Sequence, residues 1–351
     1  MKQRAITSTL LTMALALMLM VVSSSCEHRQ LLDPANKHFL RVYFDDNIKN
    51  VTYGFYDRAQ QDSGCTYPKV MRVALYNPSS GKQMYEGYLQ KSGHDEKGSY
   101  VEGYLPVSDG VYHMLINRFD GTSTYLRNEY LYQDAQVYTK PVSRYVMDNL
   151  QSTRDGASEL NANILYEPDH YFVKAAEFVK ISNALDVDTL RTPEGEHYTA
   201  ESVVKTYYLQ VNIKGAEYVS SASGYLTGLA GSMYLSNGVL NAEDEACIYF
   251  PLKSNHIAKR SQIAQAYTTF NTFGKLPNSD GTLTVVFEFK TNYGTVQVEK
   301  IELNDLFETD MVKNEQWIII DRMIEIEPNP ASGGMQPSVG DWGTVNGEIT
   351  I

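Results

Sequence analysis

Apolar and polar residues alternate with a period of two through most of the 351-residue chain. In "FLRVYFDD", Leu40, Val42 and Phe44 point one way and Arg41, Tyr43 and Asp45 the other, the signature of a half-buried strand. The same alternation predicts strands in "VTYGFYD", "PKVMRVALYNP", "QMYEGYLQ", "SYVEGYLP", "GVYHMLINRFD" and "TYLRNEYLYQDAQVYT". Between them "NPSSGK", "SGHDEKGS", "PVSDG" and "FDGTS" carry turn chemistry. Short strands at regular spacing predict an antiparallel sandwich rather than βα units.

A short helix is predicted in "SRYVMDNLQ", with Tyr145, Val146 and Leu150 at helical spacing and Ser143 as cap. The polar stretch "STRDGASELNANIL" follows, and a domain boundary is expected there. The second half repeats the style. In "VVKTYYLQVNIKG", Val204, Tyr207, Leu209, Val211 and Ile213 are the expected inward positions, and five more strand patterns run to "EQWIIIDRMIEIEP". "NDLFETDMVKN" suits one or two helical turns. The expected division is 40–160 for the first sandwich and 161–327 for the second, with a mixed α+β arrangement as the alternative.

The chain closes on "GDWGTVNGEITI". Val345, Gly347, Ile349 and Ile351 share one face of a strand, and Trp342 stands at its start. The preceding "PNPASGGMQPSVG" reads as a tether, so residues 328–351 form a flexible linker and terminal strand. Such a strand suits the chain's own second sandwich or the groove of another molecule. A hairpin return needs no leash of this length, which favours the second.

Tyr is abundant at 26 residues and Phe numbers 12, in keeping with pleated, half-buried surfaces. The net charge of -12 argues against nucleic acid, whose phosphates repel such a surface. The motifs GxSxG, GxxxxGK[ST], HExxH and CxxC are absent, so no enzyme activity, metal or cofactor is expected. Seven His residues lack metal-ligand spacing, and "AEDEAC" reads as a solvated acidic turn rather than a calcium loop. Trp317 is expected in the core.

Residues 1–25 read as a secretory signal: Lys2 and Arg4, an apolar run from Leu10 to Val22, then small residues before Cys26. A Cys at this point suits bacterial lipidation, the alternative being a plain secreted protein; residues 26–39 then form a tether. Cys65 and Cys247 are expected to lie apart and unpaired, Cys247 as a small hydrophobe.

"SSCEHRQLL", "RVYFDD", "VMRVALYNPSSG", "YHMLINRFDGTST", "YTKPVS", "EPDHYFV", "YLTGLAGSMYL", "NTFGKL" and "SGGMQPSVGDWGTVNGEITI" together resemble the Bacteroidales fimbrillin-like lipoproteins. That family is related to the FimB-like anchor and accessory subunits of type V fimbriae, and the resemblance spans the mature chain. It implies a mainly β protein of two tandem transthyretin-like antiparallel sandwiches with a C-terminal extended strand. It also implies a lipid on Cys26, an outer-membrane location exposed at the cell surface, and a fimbrial stalk or accessory subunit as partner. By the same resemblance the tail from about Pro328 is a donor strand for that partner. The first strand, near Phe39 to Asp46, stays in place in an anchor, because its removal would free the protein from its lipid. Two departures from the pattern are Ser23, where an aliphatic residue is usual, and the lack of an acidic run after Cys26. A surface glycan- or ligand-binding lipoprotein is the alternative function.

Overall fold

The computed structural model describes residues 37–45, 53–55, 58–60, 65–151, 163–182, 189–256, 263–277 and 283–328. Strands β1 (Lys37–Phe44), β2 (Tyr53–Phe55), β3 (Arg58–Gln60), β4 (Met71–Tyr76), β5 (Gln83–Leu89) and β6 (Lys91–Asp95) come first. They are followed by β7 (Gly98–Pro106), β8 (Gly110–Arg118), β9 (Thr124–Arg127), β10 (Gln136–Thr139) and helix α1 (Arg144–Asn149). The middle holds β11 (Ile164–Tyr166), β12 (Phe172–Ile181), β13 (Thr189–Leu190), β14 (Tyr198–Ser202), β15 (Lys205–Lys214) and β16 (Val219–Ala230). Then come β17 (Ser232–Tyr234), β18 (Glu245–Pro251), β19 (Lys253–His256), β20 (Ile263–Thr272) and β21 (Thr284–Thr291). The chain proceeds through β22 (Val296–Glu302), α2 (Asn304–Phe307), α3 (Asp310–Glu315) and β23 (Trp317–Glu325).

The period-two pattern becomes strands because each row of apolar side chains finds a core. The first sheet runs β5-β4-β8-β12-β14-β1-β7-β6, with β13 also on β1. It curls so that Val73, Leu75, Met114 and Ile116 of one arm meet Leu40, Val42, Val101 and Leu105 of the other in one buried cluster. A second core lies between two further sheets, β11-β18-β16-β21-β22 and β19-β20-β15-β23. Leu209, Val211 and Ile213, with Ile318 beside Leu209 on β23, face Leu226, Ile248 and Phe287 there.

The fold is mainly β, as expected, but not purely antiparallel. β1 runs parallel to β13 and β14, β11 to β18, and β15 to β23. Parallel neighbours need crossover connections, which alternation along a strand does not encode. Sheet membership also departs from the expected division at residue 160. β12, β13 and β14 hydrogen-bond to β8 and β1 and so complete the first sheet. The changeover falls after Ser202, but two earlier strands reach ahead into the second half: β11 pairs with β18, and β10, with β9 on its other edge, pairs with β17. The turn read in "SGHDEKGS" is narrower than expected, because Lys91–Asp95 pairs with β7 as a hairpin.

Ser143 caps α1 by accepting from the Val146 amide, and "NDLFETDMVKN" forms two short helices. Trp317 lies outside the main core of the second half, half-buried in a small apolar cluster around Tyr208. Ile318 and Ile320 take the inward positions of β23, so parity turns Trp317 and Ile319 to the outer face beside Tyr208 and Tyr267. Cys247 is buried, and burial pushes its thiol up to about 12. Cys65 packs against the first core, so the two cysteines sit in different apolar clusters.

Candidate functional site

β1 is the strand that follows the expected tether, and it is held on both edges and both faces. Seven residues pair antiparallel with β7, from Lys37–Pro106 to Tyr43–Tyr100. On the other edge Val42, Tyr43 and Phe44 pair with Tyr198, Thr199 and Ala200. The Asp45 amide extends this edge by donating to the Ala200 carbonyl at 3.0 Å. Leu40, Val42 and Phe44 lie in the first core, each contributing about 1.5–3 kcal/mol by burial.

The outward face of β1 is tied down by charge and aromatic contact. Arg41 Nε donates to Glu102 Oε2 at 2.8 Å, and its Nη1 donates to Asp95 Oδ2 at 3.1 Å. The guanidinium lies 4.0 Å from the Tyr100 ring centroid. Tyr43 donates to Asp95 at 2.8 Å, and Phe39 packs on Tyr104 with centroids 5.3 Å apart. Lys91 donates to the other Glu102 oxygen at 2.6 Å. Burial alone would push the Glu102 carboxyl up; the bonds from Lys91 and Arg41 hold it below the usual range instead.

The last described strand is held differently. β23 pairs with β15 on one edge, and among the described residues no strand continues the sheet beyond its other edge. Beyond β23 the chain leaves over Gly215, whose φ of +82° and lack of Cβ let the Ile326 carbonyl pass; a Cβ there would collide with that oxygen. The Ile326 amide donates to the Lys214 carbonyl at 2.8 Å. Trp342, Val345, Gly347, Ile349 and Ile351, expected to form the donor strand, lie outside the described residues, as does Cys26.

Between these ends the two halves are sewn together. Ala74, Tyr76 and Leu115 on the outer face of the first sheet meet Met233, Leu235 and Phe273 of the second half. Arg127 donates to Asp244 at 2.7 Å and to Ser232 at 2.8 Å. Asp244 is therefore a cross-half ion-pair partner, and "AEDEAC" is not simply a solvated turn. A cleft of about 320 Å³ opens at this seam beside Glu167, Asp169 and Asn271. Its polar groups bond to one another. Asp169 accepts from the amides of Thr122, Ser123 and Thr124, and Glu167 accepts from the Asn271 amide. Burial would push the Asp169 carboxyl up, but the Ser123 amide, the side chains of Thr122 and Thr124 and the charge of Arg118 outweigh it and keep it low. Sequence reading missed these stitches because each joins residues far apart in the chain.

No group of three His, Cys, Asp or Glu that could hold a metal occurs among the described residues. Nor is any helix among them long and apolar enough to cross a membrane.

The described residues thus form a multi-sheet β protein whose first strand is fixed inside its sheet, and comparison with known proteins gives its family. The chain belongs to the family described as "Domain of unknown function (DUF5119)", whose model matches residues 25–251. A curated relative from Bacteroides ovatus, named "Putative fimbrium anchoring subunit Fim4B", is 22% identical over 308 residues, covering 79% of this chain and 83% of its own. A solved structure of a "putative adhesin" from Bacteroides ovatus aligns with a TM-score of 0.56 at 20% identity. The alignment covers 88% of this chain and 99% of that one, and it shows a shared fold. The fimbrial anchor protein Mfa2 from Porphyromonas gingivalis aligns at a TM-score of 0.39 and 13% identity, over 80% of this chain and 87% of its own, too remote to argue from. The resemblance to Bacteroidales fimbrial anchor and accessory proteins is thus shown.

Proposed function

We propose that this protein is a non-enzymatic, lipid-anchored subunit at the base of a fimbrium, or an accessory to it. In this reading it is built as two tandem transthyretin-like sandwiches and is held at the outer-membrane surface by a lipid on Cys26. Its segment 328–351 engages a neighbouring subunit as a donor strand, with Val345, Gly347, Ile349 and Ile351 inserted and Trp342 marking the end of the tether.

The observation that carries the reading is the lodging of β1. A lipid on Cys26 holds the fold only as firmly as the strand behind the tether is held, and β1 is paired along both edges and fixed on both faces. The last described strand, β23, has the opposite character, with a neighbouring strand on one edge among the described residues. Strand addition at a neighbour would gain roughly 0.5–1.5 kcal/mol net per backbone hydrogen bond and about 1.5–3 kcal/mol per buried Val or Ile side chain. Deleting residues 328–351 is expected to leave the melting temperature of the protein unchanged while abolishing capture of the fimbrial stalk subunit in a pull-down with purified components. Full capture by the truncated protein would sink the donor-strand reading. Cys26→Ala is expected to move the protein from the membrane fraction to the soluble one.

A further inference from the structure

The two edges of β1 are not equally strong. β7 holds seven residues antiparallel, whereas β14 holds Val42, Tyr43 and Phe44 in parallel pairing, which is slightly less stable per residue. The Asp45 amide closes this short seam on the Ala200 carbonyl at 3.0 Å. His197 stands directly before β14, next to Tyr198, the partner of Val42. Tyr198 turns into the first core, so alternation turns His197 to the outer face. There its half-buried ring packs on Tyr43 with centroids 5.5 Å apart at 58°.

The ring sits in a mainly positive cluster. Among the described residues it is faced by Arg41 and Tyr43 of β1, Asp95 at the end of β6, Lys97 in the turn that follows, and Arg191 between β13 and β14. Tyr100 of β7 stands against Tyr43 at 5.6 Å, and Glu102 of β7 is taken up by Arg41 and Lys91. Glu194 and Glu196 belong to the exposed turn before His197. Asp95 is already occupied, because it accepts from Arg41, from the Tyr43 hydroxyl and from the Lys97 amide. His197 Nδ1 is buried and has no hydrogen-bond partner. A neutral ring tolerates this by carrying its hydrogen on Nε2. An imidazolium carries hydrogen on both nitrogens and leaves a buried N–H without an acceptor.

We propose that His197 makes the β1–β14 seam an acid-sensitive latch, closed while its ring is neutral and loosened once the ring gains a proton. Protonation sets a fourth cation beside Arg41, Lys97 and Arg191, against the ring of Tyr43 that covers the seam. Burial, with the charges of Arg191, Lys97 and Arg41, holds the closed ring below the ordinary histidine value of 6.5, and Asp95 pulls the other way. An opened seam takes up the proton at the ordinary value and the closed seam only at lower pH, so opening gains as pH falls below 6.5. The window is distinct from that of Glu102, which begins at 4.5. The latch is a property of the fold and does not depend on a lipid at Cys26.

Native-state hydrogen exchange of the mature full-length protein tests this, read at the Asp45 amide at about pH 7.5 and about pH 5.5 and corrected for the intrinsic rate. Protection at Asp45 is expected to fall by about threefold or more in acid, while the amides of β15 in the second half keep theirs. His197→Gln, which cannot gain the proton, is expected to remove the change. Arg191→Ala takes away one exposed cation and leaves the ring in place; it is expected to shrink the change and to raise the pH at which the His197 ring signal titrates. Unchanged protection of Asp45 in the wild type, an equal loss across β15, or the full acid response in His197→Gln would overturn the proposal. So would an unshifted ring titration in Arg191→Ala, which decides the matter if His197→Gln disturbs the strand. None of these measurements involves residues 328–351, so subunit capture by the tail is judged separately.

Discussion

The first and last described strands, β1 and β23, are built from the same alternating pattern and are lodged in different ways. β1 sits inside its sheet, between β7 on one side and β13 and β14 on the other. β23 sits at the margin of its sheet, with β15 on one side. Their inward faces are alike: Leu40, Val42 and Phe44 in one core, Ile318 and Ile320 in the other. Their outward faces differ. β1 carries the Arg41–Glu102–Asp95 lock, whereas β23 carries Trp317 and Ile319 and the exposed pair Lys214–Glu325. An exposed pair of that kind is worth about 0–1 kcal/mol. The lesson is that core burial alone does not separate a fixed strand from an open one; edge pairing and the outer face do.

The hardest blow to this comparison would be a charge in the β1 core. Val42→Asp buries an unpaired carboxylate and is expected to destabilise the protein by about 4 kcal/mol or more in urea denaturation. A matched pair of truncations then tests the claim of equal cores. Leu40→Ala and Ile318→Ala remove side chains that are both fully buried, and each is expected to cost about 2–5 kcal/mol. A much smaller cost for Ile318→Ala would mean that β23 is loosely seated on its inner face too.

Smaller effects isolate the outer lock. Arg41→Ala leaves the buried Glu102 with only Lys91, and the expected loss is about 1.5–3 kcal/mol, the range for hydrogen bonds to charged groups. Acid should act on the same contact. The Glu102 carboxyl has its folded value held below its ordinary 4.5, so its contribution is complete above pH 4.5 and fades as pH falls through the lowered value. Melting curves of the wild type and Glu102→Gln across that window should therefore converge at low pH. Curves that stay parallel would remove Glu102 from the lock.

Much of the fold was legible in the chain because strand faces are written locally. Leu40, Val42 and Phe44 turn inward as their spacing predicts, and so do Tyr207, Leu209, Val211 and Ile213. Val204 is buried as well, but in the seam between the halves. The run "QWIII" misled, since consecutive apolar residues do not declare which parity faces the core, and Trp317 fell on the outer side. "AEDEAC" misled for another reason: the partner of Asp244 is Arg127, 117 residues away.

What the sequence determined by itself was the mainly β class and the facing of most strands, because apolar alternation is a property of each segment. The short motifs that tie the chain to its Bacteroidales relatives were equally legible. What only the tertiary structure decided was which strand lies beside which. It sent β12–β14 back to the first sheet, set β1 between two neighbours and left β23 and β5 at margins. Backbone hydrogen bonds are the same for every pair of strands, so a segment cannot name its neighbour; that choice is made when the apolar faces of the whole chain are buried together.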